Sequence, residues 1–311
     1  MIESQPVVFC NREGSRLFGM YHAPSESRTR DVAVVLLSPG VKARIAPHRL
    51  YVRMANDLAE RGWPVFRFDF FGLGDSEGEL YEKTHSEIHA KIQIGQYVAD
   101  AQSAMDWLES EQVGRGGFVL AGLCGGAITG LLASTDERVK GLLAFGIPVM
   151  LDDPSVNARE FISTGQLNRL RRGYLKRIRD PHAWLRLLSF RSDYRSLIRS
   201  LFRRRKSKSN GQGDNPAVSN RNPLFAPAML QMLEKGIPAC CIFGGNDRLY
   251  FEFNEQFLGL MGEKLSPISE NLTVYSIDGS NHIFAWREWE REAMDVSLDW
   301  LQRRFGAEAR P

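Results

Sequence analysis

Short apolar runs alternate with amphipathic segments along most of the chain, and this alternation limits the possible folds more than any other feature. A short apolar run between turn residues indicates a strand buried in a sheet, whereas apolar residues spaced three or four apart indicate a helix. The alternation predicts an α/β fold with a mostly parallel central sheet and helices on both faces. Strands are predicted at residues 7–10, 17–22, 31–37, 63–70, 117–121, 139–145, 237–243 and 272–277. Helices are predicted at residues 50–61, 88–109, 229–234, 252–261 and 288–304, with a further helix ending near residue 131.

The alternation stops between residues 150 and 226. This segment contains no apolar strand, and residues 159–208 carry 16 lysines and arginines against three acidic residues, although the whole chain has a formal net charge of only +3. Its apolar residues are too few to build a separate core. We therefore predict that residues 1–149 and 227–311 form the core. Residues 150–226 are predicted to form a helical basic cap over the carboxyl edge of the sheet.

The motif GLCGG at residues 122–126 carries the strongest chemical signal. It follows a predicted strand and precedes helical residues, so Cys124 stands at a sharp strand-to-helix turn. A nucleophile exposed on such a turn needs strained backbone and small neighbours two positions away on each side. The N–H of Gly125 would then lie at a helix N-terminus, where it stabilises a thiolate and later an oxyanion. The alternative is that Cys124 is a small buried thiol; Cys240 and Cys241, inside an apolar strand, are predicted to be core residues.

With this elbow, the sequence resembles the α/β-hydrolase family, in particular its bacterial serine-aminopeptidase-like members, with cysteine where serine is usual. Residues 68–76 (FDFFGLGDS) are similar to the family's D-x-x-G-x-G-x-S turn. The resemblance implies a catalytic acid and then a histidine further along the chain, which match Asp247 in the G-x-x-D loop at residues 244–247 and His282 after the last strand. Asp152 and Asp153 are alternative acids. Residues 39–40 match the family's oxyanion loop, which implies that the N–H groups of Val41 and Gly125 form the oxyanion hole.

Four further residues are candidates for lining a substrate pocket. His48 and His85 flank loops at the predicted carboxyl edge of the sheet, where open α/β sheets bind ligands. Lys42 and Arg44 follow the oxyanion loop. Their charges would either meet an anionic substrate or simply be solvated.

These roles predict a Cys-His-Asp hydrolase of the thioesterase or acyltransferase type. It would act on an acyl thioester, ester or lactone through a covalent acyl-Cys124 intermediate. Transfer from a thioester onto a thiolate is nearly isoenergetic, so a cysteine nucleophile favours thioesters over plain esters. One alternative is a lyase or cyclase in which Asp247 and His282 act as a general base. Another is an inactive binding module, which the intact motifs argue against.

Partners, cofactors and location are constrained mainly by composition. The basic segment is either a solvated surface or a docking site for an acidic acyl carrier protein or the phosphates of CoA. No nucleic-acid motif is present, and the four cysteines lack metal-ligand spacing, so neither a nucleic acid nor a metal or other cofactor is expected. The chain has no apolar run of the ~18 residues that a membrane helix needs, and no basic-then-apolar leader, which predicts a cytoplasmic location.

Overall fold

The computed structural model describes residues 4–25, 29–81, 84–152 and 220–306. Within these residues the chain forms an eight-stranded sheet in the order β1-β2-β4-β3-β5-β6-β7-β8. The strands are β1 (Ser4–Cys10), β2 (Arg16–His22), β3 (Ala33–Leu37), β4 (Val65–Phe68), β5 (Phe118–Leu123), β6 (Val139–Phe145), β7 (Ala239–Gly244) and β8 (Leu272–Ile277). Strand β2 pairs antiparallel with β1 and β4, and the remaining neighbours are parallel.

Eight α-helices accompany the sheet in the described part of the chain. They are α1 (Leu50–Glu60), α2 (His85–Gln93), α3 (Val98–Ser110), α4 (Gly125–Ala133), α5 (Phe225–Glu234), α6 (Arg248–Phe253), α7 (Gly259–Leu265) and α8 (Arg287–Phe305). Short 3-10 helices at Pro47–Arg49 and Ser266–Asn271, and a π turn at Asn254–Leu258, join some of them. No described helix has both the length and the apolar character that crossing a membrane requires.

Strand β3 shows why the sheet is covered on both faces. All five of its residues are buried, because alternate side chains enter two different cores. Val35 and Leu37 pack with apolar residues of α2 to α5, whereas Val34 and Leu36 pack with those of α1 and α8. A sheet between two helical layers confirms the predicted α/β class.

Helix boundaries differ from the prediction in three places. The single helix predicted over residues 88–109 is the pair α2 and α3, because Gly95 adopts φ +107° between them, a backbone conformation that favours glycine. Helix α5 begins at Phe225 rather than at Met229. Just before this start, the side-chain oxygen of Asn222 accepts the N–H of Leu224 at 2.9 Å. The helix predicted over residues 252–261 begins earlier, as α6, and is interrupted by the π turn.

The chain divides into two units, residues 1–157 with 220–311 and residues 158–219. The second unit, and residues 153–219 in general, lie outside the described residues, as does most of the predicted cap. At the junction, the N–H of Leu151 donates to the carbonyl of Asn220 at 2.7 Å, and that of Asn222 donates to Val149 at 2.9 Å. The two ends of the insertion are thus joined beside β6. The helical cap and the proposed domain boundaries stay predictions.

Candidate active site

Cys124 occupies the turn between β5, which ends at Leu123, and α4, which begins at Gly125. Its φ of 54° and ψ of −111° lie in a region that residues with a side chain rarely adopt. The surrounding hydrogen bonds hold this conformation. The N–H of Cys124 donates to the carbonyl of Phe145 at 2.9 Å, and that of Leu123 donates to the Tyr51 hydroxyl at 2.6 Å. Strain held in this way is typical of functional sites.

The glycines on either side of Cys124 are required by close backbone contacts. A methyl group on Gly122 would lie 2.3 Å from the carbonyl carbon of Gly126. One on Gly126 would lie 2.3 Å from the carbonyl oxygen of Leu37. Both distances are far below van der Waals contact, so the elbow closes only with small residues at these positions.

The loop after β3 packs directly against the start of α4. A methyl group on Gly125 would lie 2.6 Å from the Cα of Gly40, and Gly40 itself has φ +61°. In the described part of the chain, neither the Val41 N–H nor the Gly125 N–H donates to a protein acceptor. Both N–H groups therefore lack a protein acceptor among the described residues, at the place where the loop after β3 meets the start of α4.

Asp247 and His282 meet beside this elbow. Asp247 is 7% exposed and stands between β7 and α6, and its Oδ1 caps α6 by accepting the N–H of Leu249 at 3.1 Å. Its Oδ2 lies 2.6 Å from His282 Nδ1. Gly146, at the end of β6, leaves room for the pair, because a methyl group there would lie 2.8 Å from the imidazole. The carboxylate therefore fixes the orientation of the ring.

The protonation of His282 depends on both of its partners. Burial alone would lower its pKa, but hydrogen bonds to Asp247 and Cys124, together with their charges, raise the pKa to about 10. With its pKa raised in this way, the His282 imidazole carries a proton near neutral pH. Of the sequence-predicted residues, the structure thus brings Cys124, His282 and Asp247 together.

The alternative acids are placed differently. Asp152 binds the Gln93 side chain through its N–H at 2.8 Å, and its carboxylate lies 3.8 Å from Arg248. No hydrogen bond between Asp152 and His282 is found in the described residues, whereas Asp247 has a close one. Asp153 lies outside the described residues.

The predicted pocket residues differ in their exposure and contacts, and their place in a pocket stays a prediction. Lys42, His48 and His85 are exposed. Arg44 is half-buried, and its guanidinium pairs with Asp69 and lies 2.8 Å from Asp75. Because two carboxylates already pair with this guanidinium, Arg44 is not simply solvated, and its contact with an anionic substrate stays a prediction.

Two residues near the site were missed from the sequence. His89 lies on α2, and its Cε1 would be 3.2 Å from a methyl group placed on Gly40. The only sequence signal for His89 is its position four residues after His85. Glu252, five residues after Asp247 and on helix α6, is 3% exposed, and burial raises its pKa to about 7. Arg248 lies 3.3 Å from this carboxyl group.

Within the described residues, no cluster of histidine, cysteine and acidic side chains is arranged to hold a metal ion.

Comparison with known proteins supports the same fold. The chain is similar to solved structures of an esterase from Pyrococcus furiosus (18% identity, TM-score 0.59, covering 98% of this chain and 94% of that one). It is also similar to a hypothetical protein from Pseudomonas aeruginosa (17%, 0.57, 97% and 94%). A third similar structure is a serine hydrolase without a lid from Xanthomonas campestris (14%, 0.54, 98% and 96%). At these identities the likeness shows the fold alone.

Among curated proteins, none matches the sequence. The model of the family described as serine aminopeptidase, S33, matches residues 29–207, which is more than half of the chain and includes Cys124 but neither Asp247 nor His282. The chain therefore belongs to the serine aminopeptidase, S33, family of α/β hydrolases.

Proposed function

We propose that the protein is a cysteine-dependent hydrolase or acyltransferase that acts on an acyl thioester, ester or lactone. The observation that carries the proposal is the 2.6 Å contact between His282 and Asp247 beside Cys124, a half-buried thiol on a turn of strained backbone. A nucleophile, a base and a residue that orients the base are the parts that covalent catalysis requires. The esterase among the structural relatives is consistent with acyl chemistry.

The reaction would proceed in two steps. The Cys124 thiolate attacks the acyl carbonyl, and the N–H groups of Val41 and Gly125 stabilise the oxyanion. When the C–S bond to Cys124 has formed, the bond to the leaving group breaks, and the leaving group takes the proton of His282. Water or another acceptor then gives its proton to His282 and attacks the acyl-enzyme, which releases the acyl product and the thiolate.

A thioester is the substrate class that this chemistry favours, because exchange between two thioesters costs little free energy. The positive charge of residues 159–208 would suit the phosphates of CoA or an acidic acyl carrier protein. Those residues lie outside the described part of the chain. A role for them in substrate docking, and the expected cytoplasmic location, stay predictions.

Intact-protein mass spectrometry after mixing with S-phenyl thioacetate tests the proposal. We expect one acetyl adduct on Cys124, and none in a Cys124→Ala protein. Cys240→Ala serves as the control, because Cys240 is fully buried and its replacement should leave the adduct in place. A wild-type protein that neither acquires the adduct nor releases thiophenol from the thioester refutes the acyl-Cys124 mechanism.

The second candidate is a lyase or cyclase in which His282, oriented by Asp247, removes a proton from the substrate. The contact between His282 Nδ1 and Asp247 favours it, because a carboxylate that holds one ring nitrogen orients the other nitrogen to accept a proton from the substrate. The two candidates differ in their need for the thiol. Turnover of a substrate by the Cys124→Ala protein would support the second candidate and exclude the first.

A further inference from the structure

Helix α2 crosses both backbone segments that carry the proposed oxyanion donors. A methyl group on Gly40 would lie 3.2 Å from Cε1 and 3.6 Å from Nδ1 of His89. Three residues later on the same helix, Ile92 Cγ2 would lie 3.1 Å from a methyl group on Gly125. Since Gly40 precedes Val41, the His89 imidazole lies at the same backbone junction as the two free N–H groups.

The helix is held in this position by polar contacts at its end. The side-chain amide of Gln93 donates to the carbonyl of Met150 at 2.9 Å and accepts the N–H of Asp152 at 2.8 Å. The carbonyl of Gln93 accepts the side-chain amide of Asn222 at 2.6 Å. With Ile88 and Ile92 buried on its inner face, α2 presents His89 from a fixed backbone.

The imidazole of His89 is half-buried, and burial lowers its pKa. The charge of Asp152 opposes this effect, whereas His85 on the same helix and His282 across the site lower the pKa further. His89 is therefore neutral near pH 7, with one N–H donor and one acceptor. Its side chain makes no hydrogen bond to any residue that the structure describes.

On the basis of the proposed function, we propose that His89 is a catalytic residue that donates a hydrogen bond to the acyl oxygen of the substrate as the oxyanion forms. It acts beside the N–H groups of Val41 and Gly125, and no proton is transferred. A neutral donor fits this place because it does not repel the imidazolium of His282. Donors fixed where charge develops stabilise the transition state more than the bound substrate.

Two reactions of the same thiol separate this role from a structural one. Iodoacetamide alkylates Cys124 by direct displacement and forms no oxyanion, whereas acetylation by S-phenyl thioacetate passes through one. In a His89→Phe protein, which keeps a ring but loses the donor, we expect an unchanged alkylation rate and an acetylation rate lower by about 10²-fold. His89→Gln, whose amide can donate, should recover part of the loss. Lys91→Gln, an exposed change on the same helix, is the control and should leave both rates unchanged.

Each result decides the question. Equal losses in both reactions would show that His89 acts through the thiolate or the fold, and two unchanged rates would show that it contributes nothing; either result overturns the inference. If His89→Phe does not fold, His89→Ala provides the same comparison. A wild-type protein that is alkylated but never acetylated refutes the proposed function itself, and is therefore distinguishable from a failure of His89 alone.

Discussion

The Tyr51 hydroxyl joins the two loops that build the candidate site, so removing it should destabilise the protein in a measurable way. Tyr51 is fully buried. Its hydroxyl donates to the carbonyl of Leu37 at 3.0 Å and accepts the N–H of Leu123 at 2.6 Å. Leu37 is the last residue of β3 before the oxyanion loop, and Leu123 directly precedes Cys124. Tyr51→Phe removes this single oxygen and keeps the ring.

The expected cost follows from the two groups that lose their partner. An unsatisfied buried N–H at Leu123 costs ~1–3 kcal/mol, and the lost bond to the Leu37 carbonyl adds about 1 kcal/mol. We therefore expect Tyr51→Phe to lower the free energy of unfolding by about 2–4 kcal/mol. Urea unfolding at 25 °C measures this change as a lower midpoint with an unchanged slope.

Tyr275→Phe is the matched control for the same chemical change at the surface. Its hydroxyl donates to Glu292 at 2.9 Å in an exposed pair, and we expect this change to cost less than about 0.5 kcal/mol. If both tyrosine variants lose the same stability, the Tyr51 bridge does not hold the two loops together as argued. A changed unfolding slope in Tyr51→Phe alone would show a different native or denatured ensemble and would also contradict the argument.

Three further predictions concern activity, pH and labelling. Asp247→Asn should slow acetylation by up to about 10⁴-fold without unfolding the protein, because the imidazole loses the carboxylate that orients it; stopped-flow acetylation measures this loss. Burial and Arg67 lower the pKa of His22 to about 4 from 6.5, so its contribution to stability is complete above pH 6.5 and is lost as the pH falls to 4. The difference in unfolding free energy between wild type and His22→Gln should thus change by about 3 kcal/mol over this range. Iodoacetamide at pH 6 should label Cys124 and spare Cys240, whose pKa burial raises to about 12.

Each of these predictions has a result that contradicts it. If the Asp247→Asn protein is active and the Asp152→Asn protein is inactive, then Asp152, after the earlier strand, is the catalytic acid in place of Asp247. A pH-independent difference between wild type and His22→Gln would mean that His22 titrates alike in the folded and unfolded chain. Equal labelling of all four cysteines in the folded protein at pH 6 would remove the evidence for an activated thiol.

The sequence by itself determined the features that depend on local pattern. Strands β3, β5 and β7 read as apolar runs because they are buried on both faces, as β3 is by its two cores. The elbow could be recognised because its strained backbone admits only small residues two positions before and after the nucleophile, and GLCGG has glycine at both positions. The break between α2 and α3 was missed, because a lone glycine is a weak signal inside a helical pattern.

Only the tertiary structure decided which polar groups meet. Arg44 follows the oxyanion loop in sequence, yet its guanidinium forms an ion pair with Asp69, which follows strand β4. His89 had no motif, but the packing of α2 across Gly40 and Gly125 brings it to the candidate site. Asp152 and Asp247 both follow strands, and the choice between them depends on where the loop carrying His282 folds back. Such contacts join residues far apart in the chain, so their distances depend on strand order, register and helix packing, which no local pattern encodes.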